Sequence, residues 1–442
     1  MNKLPVLWES LRSSLWFLPT LLVLGAVVLA LSVIGAEPWF DGNNFEEKWP
    51  RLLGAGAAGA RGMLSAIAGS IITVAGVAFS IMIVALTLAS SQYTSRILRN
   101  FMRDKGNQSV LGVFLGVFAY CLVVLRTIRG GDEGAFVPSF AVFVAVVLAF
   151  VAIGFFIYFI HHISSALQAS SIIESAGSET IEAIDRLFPR ELGEAPGSSL
   201  SPRLPPADEP WQRIAARRTG YIQSVDHDAF LRLAREWNVV IRMEAGIGEF
   251  VVEGAPLLSI AGENTAGDEN EMELNGAYSI GRHRTTVQDV GFGIRQIVDI
   301  ALKGLSPGIN DTTTAVICVD YLTAILGRLA PRQVEIPFRM DQGQLRVIAR
   351  GATFQSLLDE AFDQIRQNSE GNVAVLIRLI EVLNIISGFT SDEERRQALQ
   401  LHADLVLETA ERSVCSPHDR AAIHRISERG MPTPGSPSEV KR

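Results

Sequence analysis

Apolar residues crowd the first third of the chain and charged residues the remainder, with the change of pattern near residue 160. Four apolar runs precede it, at about residues 15–36, 62–94, 110–125 and 136–160. A bilayer-spanning helix takes roughly 17–25 residues, so the pattern predicts four membrane helices over residues 1–160. Three of the runs reach that length unaided, and residues 110–125 need only a flanking position or two.

The second run is the longest, and it is free of charge from Gly62 to Thr94. Within it Ser65, Gly69, Thr73, Gly76, Ser80, Thr87 and Ser91 recur at steps of three, four or seven, which on a helix places them in one stripe. Two readings follow. Small residues let helices approach and hydroxyls bond across the contact, so the stripe suits close packing. The same groups suit a pore lining, where polar positions at membrane depth face water.

Past residue 160 the pattern stays helical to Pro189, with Ile163, Leu167, Ile172, Ile173, Ile181, Ile184 and Leu187 among polar residues. It predicts that the fourth membrane helix runs on as an extension over residues 161–189. The pair His161 and His162 near the headgroups suits a pH sensor or a structural role. Residues 190–210, rich in Pro, Gly and Ser, read as a linker.

Residues 211–275 read as a small, mostly β, barrel-like module. It holds a strand at 217–225, a short helix at 226–237 capped by Asp226, a strand at 239–243, and two short strands across a turn within 246–260. That last stretch resembles half of a lipoyl or biotinyl carrier barrel. Residues 243–260 hold no lysine, so the likeness implies shape and no attached cofactor. Residues 261–275 carry five carboxylates without the spacing of an EF-hand and read as a solvated, mobile loop.

Residues 276–430 read as mainly helical, with helices at about 286–302 and 311–329 across a rigid turn at 306–310. A strand pair at 334–338 and 345–348 and amphipathic helices over 354–426 follow, and 431–442 reads as a disordered tail. The expected fold is therefore a membrane α-helical domain with four transmembrane helices, followed by a cytoplasmic α+β domain. The latter contains the β-barrel-like module and a helical C-terminal part.

Charge sets the orientation. Lys3 and Arg12 precede the first span and Arg96, Arg99, Arg103 and Lys105 follow the second, whereas the other two connections mix both signs. The positive-inside rule then puts both termini in the cytoplasm of a multi-pass inner-membrane protein. The net charge of −8 over 442 residues argues against a nucleic-acid partner. Cys121, Cys318 and Cys415 are too scattered for a metal site or a disulfide framework.

The densest polar motif holds Arg282, His283, Arg284, Asp289 and Arg295, with Asn310 and Asp311 beyond it. These are candidates for ligand or subunit contacts. A catalytic reading uses His283 as base with Asp289 or Asp311 as partner and the arginines on an anion. The alternative is helix caps and ion pairs. No nucleophile, metal set or phosphate loop accompanies the motif, so no catalytic residue, metal or cofactor is expected.

Two phrases are distinctive: Ala301-Leu302-Lys303-Gly304-Leu305-Ser306-Pro307-Gly308-Ile309-Asn310-Asp311-Thr312, and Ser90-Ser91-Gln92-Tyr93-Thr94-Ser95-Arg96 at the end of the second span. With them nearly the whole chain resembles a bacterial family of predicted membrane proteins, domain of unknown function 2254. The resemblance implies four spans and a cytoplasmic domain, with no established activity.

The functional expectation is an oligomeric inner-membrane ion channel or pore. The second span would line it, Arg96, Arg99 and Arg103 would stand at the cytoplasmic mouth, and the cytoplasmic domain would gate or filter it. Expected partners are membrane lipid, further copies of the chain and inorganic ions. The alternative is a membrane-anchored scaffold or ligand sensor without permeation.

Overall fold

The computed structural model describes residues 16–41, 56–92, 104–129, 136–166, 168–188, 210–262, 267–334 and 338–428. Arg96, Arg99 and Arg103, the 431–442 tail, nearly all of the 190–210 linker, and the side chain of Ser91 lie outside the described residues. The chain divides into two compact units, residues 1–171 and 172–442.

The first unit holds α1 (Phe17–Asp41), α2 (Ala57–Gln92), α3 (Lys105–Thr127) and α4 (Ser139–Ala166). Helix α3 starts where Asp104 accepts from the backbone N–H groups of Gly106 (2.6 Å) and Asn107 (3.3 Å), supplying acceptors to donors that a helix start leaves orphaned. It is the central helix, burying Phe114, Val117, Tyr120 and Val124, and the Tyr120 hydroxyl donates to the Ala141 carbonyl of α4 (3.0 Å). Helix α1 comes close because α3 offers Gly116, where a Cβ would stand 3.3 Å from that of Ala26.

The second unit takes in all but the first three residues of α5 (Ala169–Leu187) and holds β1 (Gln212–Ala215), β2 (Gly220–Val225), α6 (His227–Glu236), β3 (Val240–Met243), β4 (Phe250–Val251), β5 (Pro256–Ala261), α7 (Asp268–Gly276), β6 (Tyr278–Gly281), α8 (Val290–Leu305) and α9 (Thr312–Leu329). Strands β7 (Phe338–Asp341) and β8 (Gln344–Ile348) follow, then α10 (Phe354–Gln367), α11 (Val373–Ser387), α12 (Glu393–Ser413) and α13 (Pro417–Ser427). One sheet runs β1-β5-β3-β8-β7 and the other β4-β2-β6. Helix α6 lays Phe230, Leu233 and Ala234 into their shared core with Ile222, Ile241, Leu258 and Val347.

Several expectations are corrected. The extension over 161–189 is not one helix with the fourth span: α4 ends at Ala166 and α5 begins at Ala169. Ser164 and Ser165 donate to the carbonyls of Ile160 and His161 just before the break (2.8 and 3.1 Å), and such back-bonding bends helices. The β module does not close at residue 275, because β6, β7 and β8 join its sheets and β3 pairs β8 in parallel. Strands β4 and β5 are not a hairpin: they belong to different sheets.

The acidic stretch expected as a loop contains α7, with Asp268, Glu269 and Glu271 in its first turn, where the helix dipole favours carboxylates. Residues 335–337 of the later strand pair lie outside the described residues; β7 and β8 turn at Gln342 and Gly343, both at positive φ (49° and 76°). A two-residue hairpin needs that geometry to match the strand twist. Among the described residues five helices, α1 to α4 and α9, are long and apolar enough to cross a membrane, so composition and length do not single out four.

Candidate functional site

Helix α2 presents two different faces. Ala60, Leu64, Ala68, Ile71, Ala75, Ala78, Met82 and Ala85 recur every three or four residues and are buried within the first unit. Mostly small side chains on that face let neighbouring helices come close. Gly69 and Gly76 follow Ala68 and Ala75 by one residue, about 100° round the helix, and so lie off the buried face. Ser65, Gly69, Thr73, Gly76, Ser80 and Thr87 are all exposed.

No atom of the described chain lies within 4 Å of where a Cβ would stand at Gly69 or Gly76. Among the described residues, then, nothing packs on the stripe at these two glycines. Two hydroxyls are satisfied within the helix, Thr73 on the Gly69 carbonyl (2.8 Å) and Thr87 on that of Ile83 (2.9 Å). The large exposed side chains Ile72, Phe79 and Ile83 stand beside it.

In the second unit the polar motif is built around the start of α8. Asp289 caps that helix by accepting from the Phe292 N–H (2.9 Å), and it receives Arg284 in a two-pronged pair at 2.7 and 2.9 Å. Arg284 also faces Glu360 of α10 at 3.7 Å. Burial pushes the Glu360 carboxyl above the usual carboxylate range, and Arg284 offsets this only in part. Gly248 and Gly291 leave the room: a Cβ at Gly291 would stand 2.9 Å from the Glu360 carboxylate.

Arg284 is thus occupied by two carboxylates, and Arg295 pairs with Asp299 one turn along α8 (2.8 Å). Neither is free to take an anion. Arg282 and His283 are exposed, and the His283 carbonyl accepts from the Gln223 amide (2.7 Å).

Asn310 and Asp311 are elsewhere. Asp311 caps α9 on the Thr314 N–H (3.0 Å) and hydroxyl (2.6 Å), which hold its carboxyl below its ordinary range. Asn310 takes the left-handed conformation (φ 50°), which Asn tolerates better than most residues. Helix α8 separates the two places with 16 residues, about 24 Å of helix. The structure therefore does not bring His283 and Asp311 into one pocket.

Sequence reasoning missed a second cluster. At the end of α5, Asp185 pairs with Arg328 (2.8 Å) and with the buried Arg332, which also donates to the Ile184 and Phe188 carbonyls (3.0 and 2.7 Å). Arg328 first, and Arg332 with it, hold the Asp185 carboxyl down at about 2. Arg186 donates to the Val287 carbonyl (2.7 Å), and Glu179 accepts from the Thr286 hydroxyl. The only local signal was charge near a predicted helix end, where cations meet unpaired carbonyls.

A family profile described as "Predicted membrane protein (DUF2254)" matches residues 12–384. The chain belongs to this family. It is also 33% identical over 433 residues to the uncharacterized protein Rv1290c of Mycobacterium tuberculosis, covering 96% of this chain and 81% of that one. The uncharacterized protein Mb1321c of Mycobacterium bovis matches to the same extent, at 33% identity over 433 residues. No solved structure matches the chain.

Proposed function

We propose that this DUF2254 chain is the subunit of a homo-oligomeric inner-membrane ion channel, with α2 nearest the axis. The observation that carries the reading is the stripe on α2: six small or hydroxylated positions, all exposed, on the helix face away from the packing among the described residues. Four short spans do not enclose a path within one chain, so copies have to share it. Exposed hydroxyls and glycine backbone give such a path polar groups at membrane depth.

The proposal takes α1 to α4 as the spans and α9 as part of the soluble unit. Helix α9 carries Asp320, paired with Arg378 (2.6 Å), and Arg328, paired with Asp185 (2.8 Å). It also buries Cys318, Val319, Leu322 and Ile325. Charges at membrane depth are expensive, and four spans agree with the basic residues at the N-terminus and after α2. Both termini are then cytoplasmic, and the α+β unit stands at the cytoplasmic mouth as gate or filter.

Ion flux through the purified protein in liposomes tests this, with Ser80→Asp alongside. A lining position changes conductance at least twofold while the oligomer size is unchanged. Absent flux, or an oligomer broken by the substitution, sinks the pore. A second reading, a membrane-anchored scaffold without permeation, is favoured by the Thr73 and Thr87 hydroxyls bonded within α2. A face satisfied in that way sits against lipid or another helix without water.

A further inference from the structure

A cavity of about 750 Å³ opens in the first unit between the C-terminal part of α1, the end of α3 and the residues just before α4. That volume is within the range of small-molecule sites. Leu31 and Ile34 of α1, Val123 of α3 and Phe136 wall it with apolar surface, and Arg126 and Arg129 line it as cations. Among the described residues neither guanidinium has a hydrogen-bond or ion-pair partner, although the third arginine at this end, Arg61, donates to the Ile128 carbonyl (2.9 Å). The two arginines therefore differ from the paired ones of the second unit.

Their place in the sequence makes them harder to explain as topology signals. With the orientation proposed above they stand on the non-cytoplasmic side, where the positive-inside rule gives arginine no role. A cavity with two cations at its rim and aliphatic walls toward the hydrocarbon has the two-part character of an amphiphile. Guanidinium forks match phosphate oxygens, and the match is stronger than with a lysine point charge. Basic pockets between membrane helices hold anionic headgroups by this chemistry.

We propose that this cavity binds an anionic phospholipid, with Arg126 and Arg129 on its phosphate and Leu31, Ile34 and Val123 along the first methylenes of an acyl chain. The lipid's net negative charge sets it apart from zwitterionic neighbours, since two guanidiniums meet no compensating amine. Only the choice of leaflet rests on the proposed orientation. The site stands whether or not the protein conducts ions.

Native mass spectrometry of the full chain, released from micelles containing equal phosphatidylglycerol and phosphatidylcholine, tests the site. Wild type is expected to retain phosphatidylglycerol at least fivefold over phosphatidylcholine. Arg126→Gln with Arg129→Gln removes that preference, and Lys105→Gln, at the other end of α3, keeps it. Ile34→Trp, which fills the apolar wall and leaves both arginines, lowers retention as well and guards against a double variant that misfolds. Equal retention of both lipids, or preference surviving in the double variant, overturns the proposal. So does release of the bound lipid by millimolar inorganic phosphate with Ile34→Trp unaffected, which marks a free-anion site.

Discussion

His227 opens α6 with its Nδ1 atom buried and, among the described residues, without a hydrogen-bond partner. Burial, and after it the Arg339 guanidinium, pushes the imidazole down to about 4, against a weaker upward pull from Asp228 and Asp226. An unfolded chain binds that proton near pH 6.5, so between 6.5 and 4 the unfolded state holds more protons and acid favours it. The histidine's contribution is full above pH 6.5 and disappears as pH falls to 4. Discounted for partial exposure, the loss is on the order of 2 kcal/mol. Urea melts between pH 7 and pH 4.5 should show it, and His227→Gln should flatten that part of the pH dependence. The Asp185 pairs fail only lower, as pH falls from the ordinary carboxylate range toward 2. Glu360 runs opposite: its raised value makes ionisation a burden on the fold, felt as pH rises. At this scale the caps were legible, since Asp226 and Asp311 each stand three residues before the N–H they accept. The pairing of Arg284 with Asp289 was also within reach, five positions apart. Glu360 comes from a helix far along the chain, and nothing local announces it.

Helices α5 and α8 meet through glycine. Gly293 in the first turn of α8 lies against Thr180 of α5 so closely that a Cβ would overlap the threonine hydroxyl, and a Cβ at Gly177 would stand 2.8 Å from the Tyr321 ring of α9. Gly293→Ala must therefore move one helix, at a cost of about 1–3 kcal/mol as overpacking does. Gly308→Ala, in a turn with open space around it, should leave stability unchanged. Thermal melts of the detergent-purified chain separate the two. Elements of this kind were readable as elements: capped, periodic helices announce themselves locally. Their partners were not. The α2 stripe stood out as a pattern, yet which face of α2 turns inward depends on the helices it packs against. The strands gave less warning still, because β4 and β5 sit five residues apart and separate into two sheets.

Each unit has its own core. In the second, Ile214, Ile222, Phe230, Ile241 and Leu258 form one buried cluster without any residue of the first unit. A chain beginning at Ala169 should consequently fold without a membrane. It is expected to stay in solution, show helix and sheet by circular dichroism, and melt cooperatively. Aggregation in place of a cooperative melt would mean that the core depends on the spans. The division between units was visible in the charge pattern, whereas the interleaving of β6, β7 and β8 with earlier strands was not, because pairing over long sequence separations follows from the assembled sheet.

Two residues separate the end of α4 from the start of α5, and α5 is fastened at its far end by Arg328 and Arg332. In mechanical terms it is a beam built into the frame of the second unit. Arg332, gripping the Ile184 and Phe188 carbonyls, ties the end of that beam to the segment just after α9. Clamped in this way, the end of α5 and the segment after α9 move as one piece.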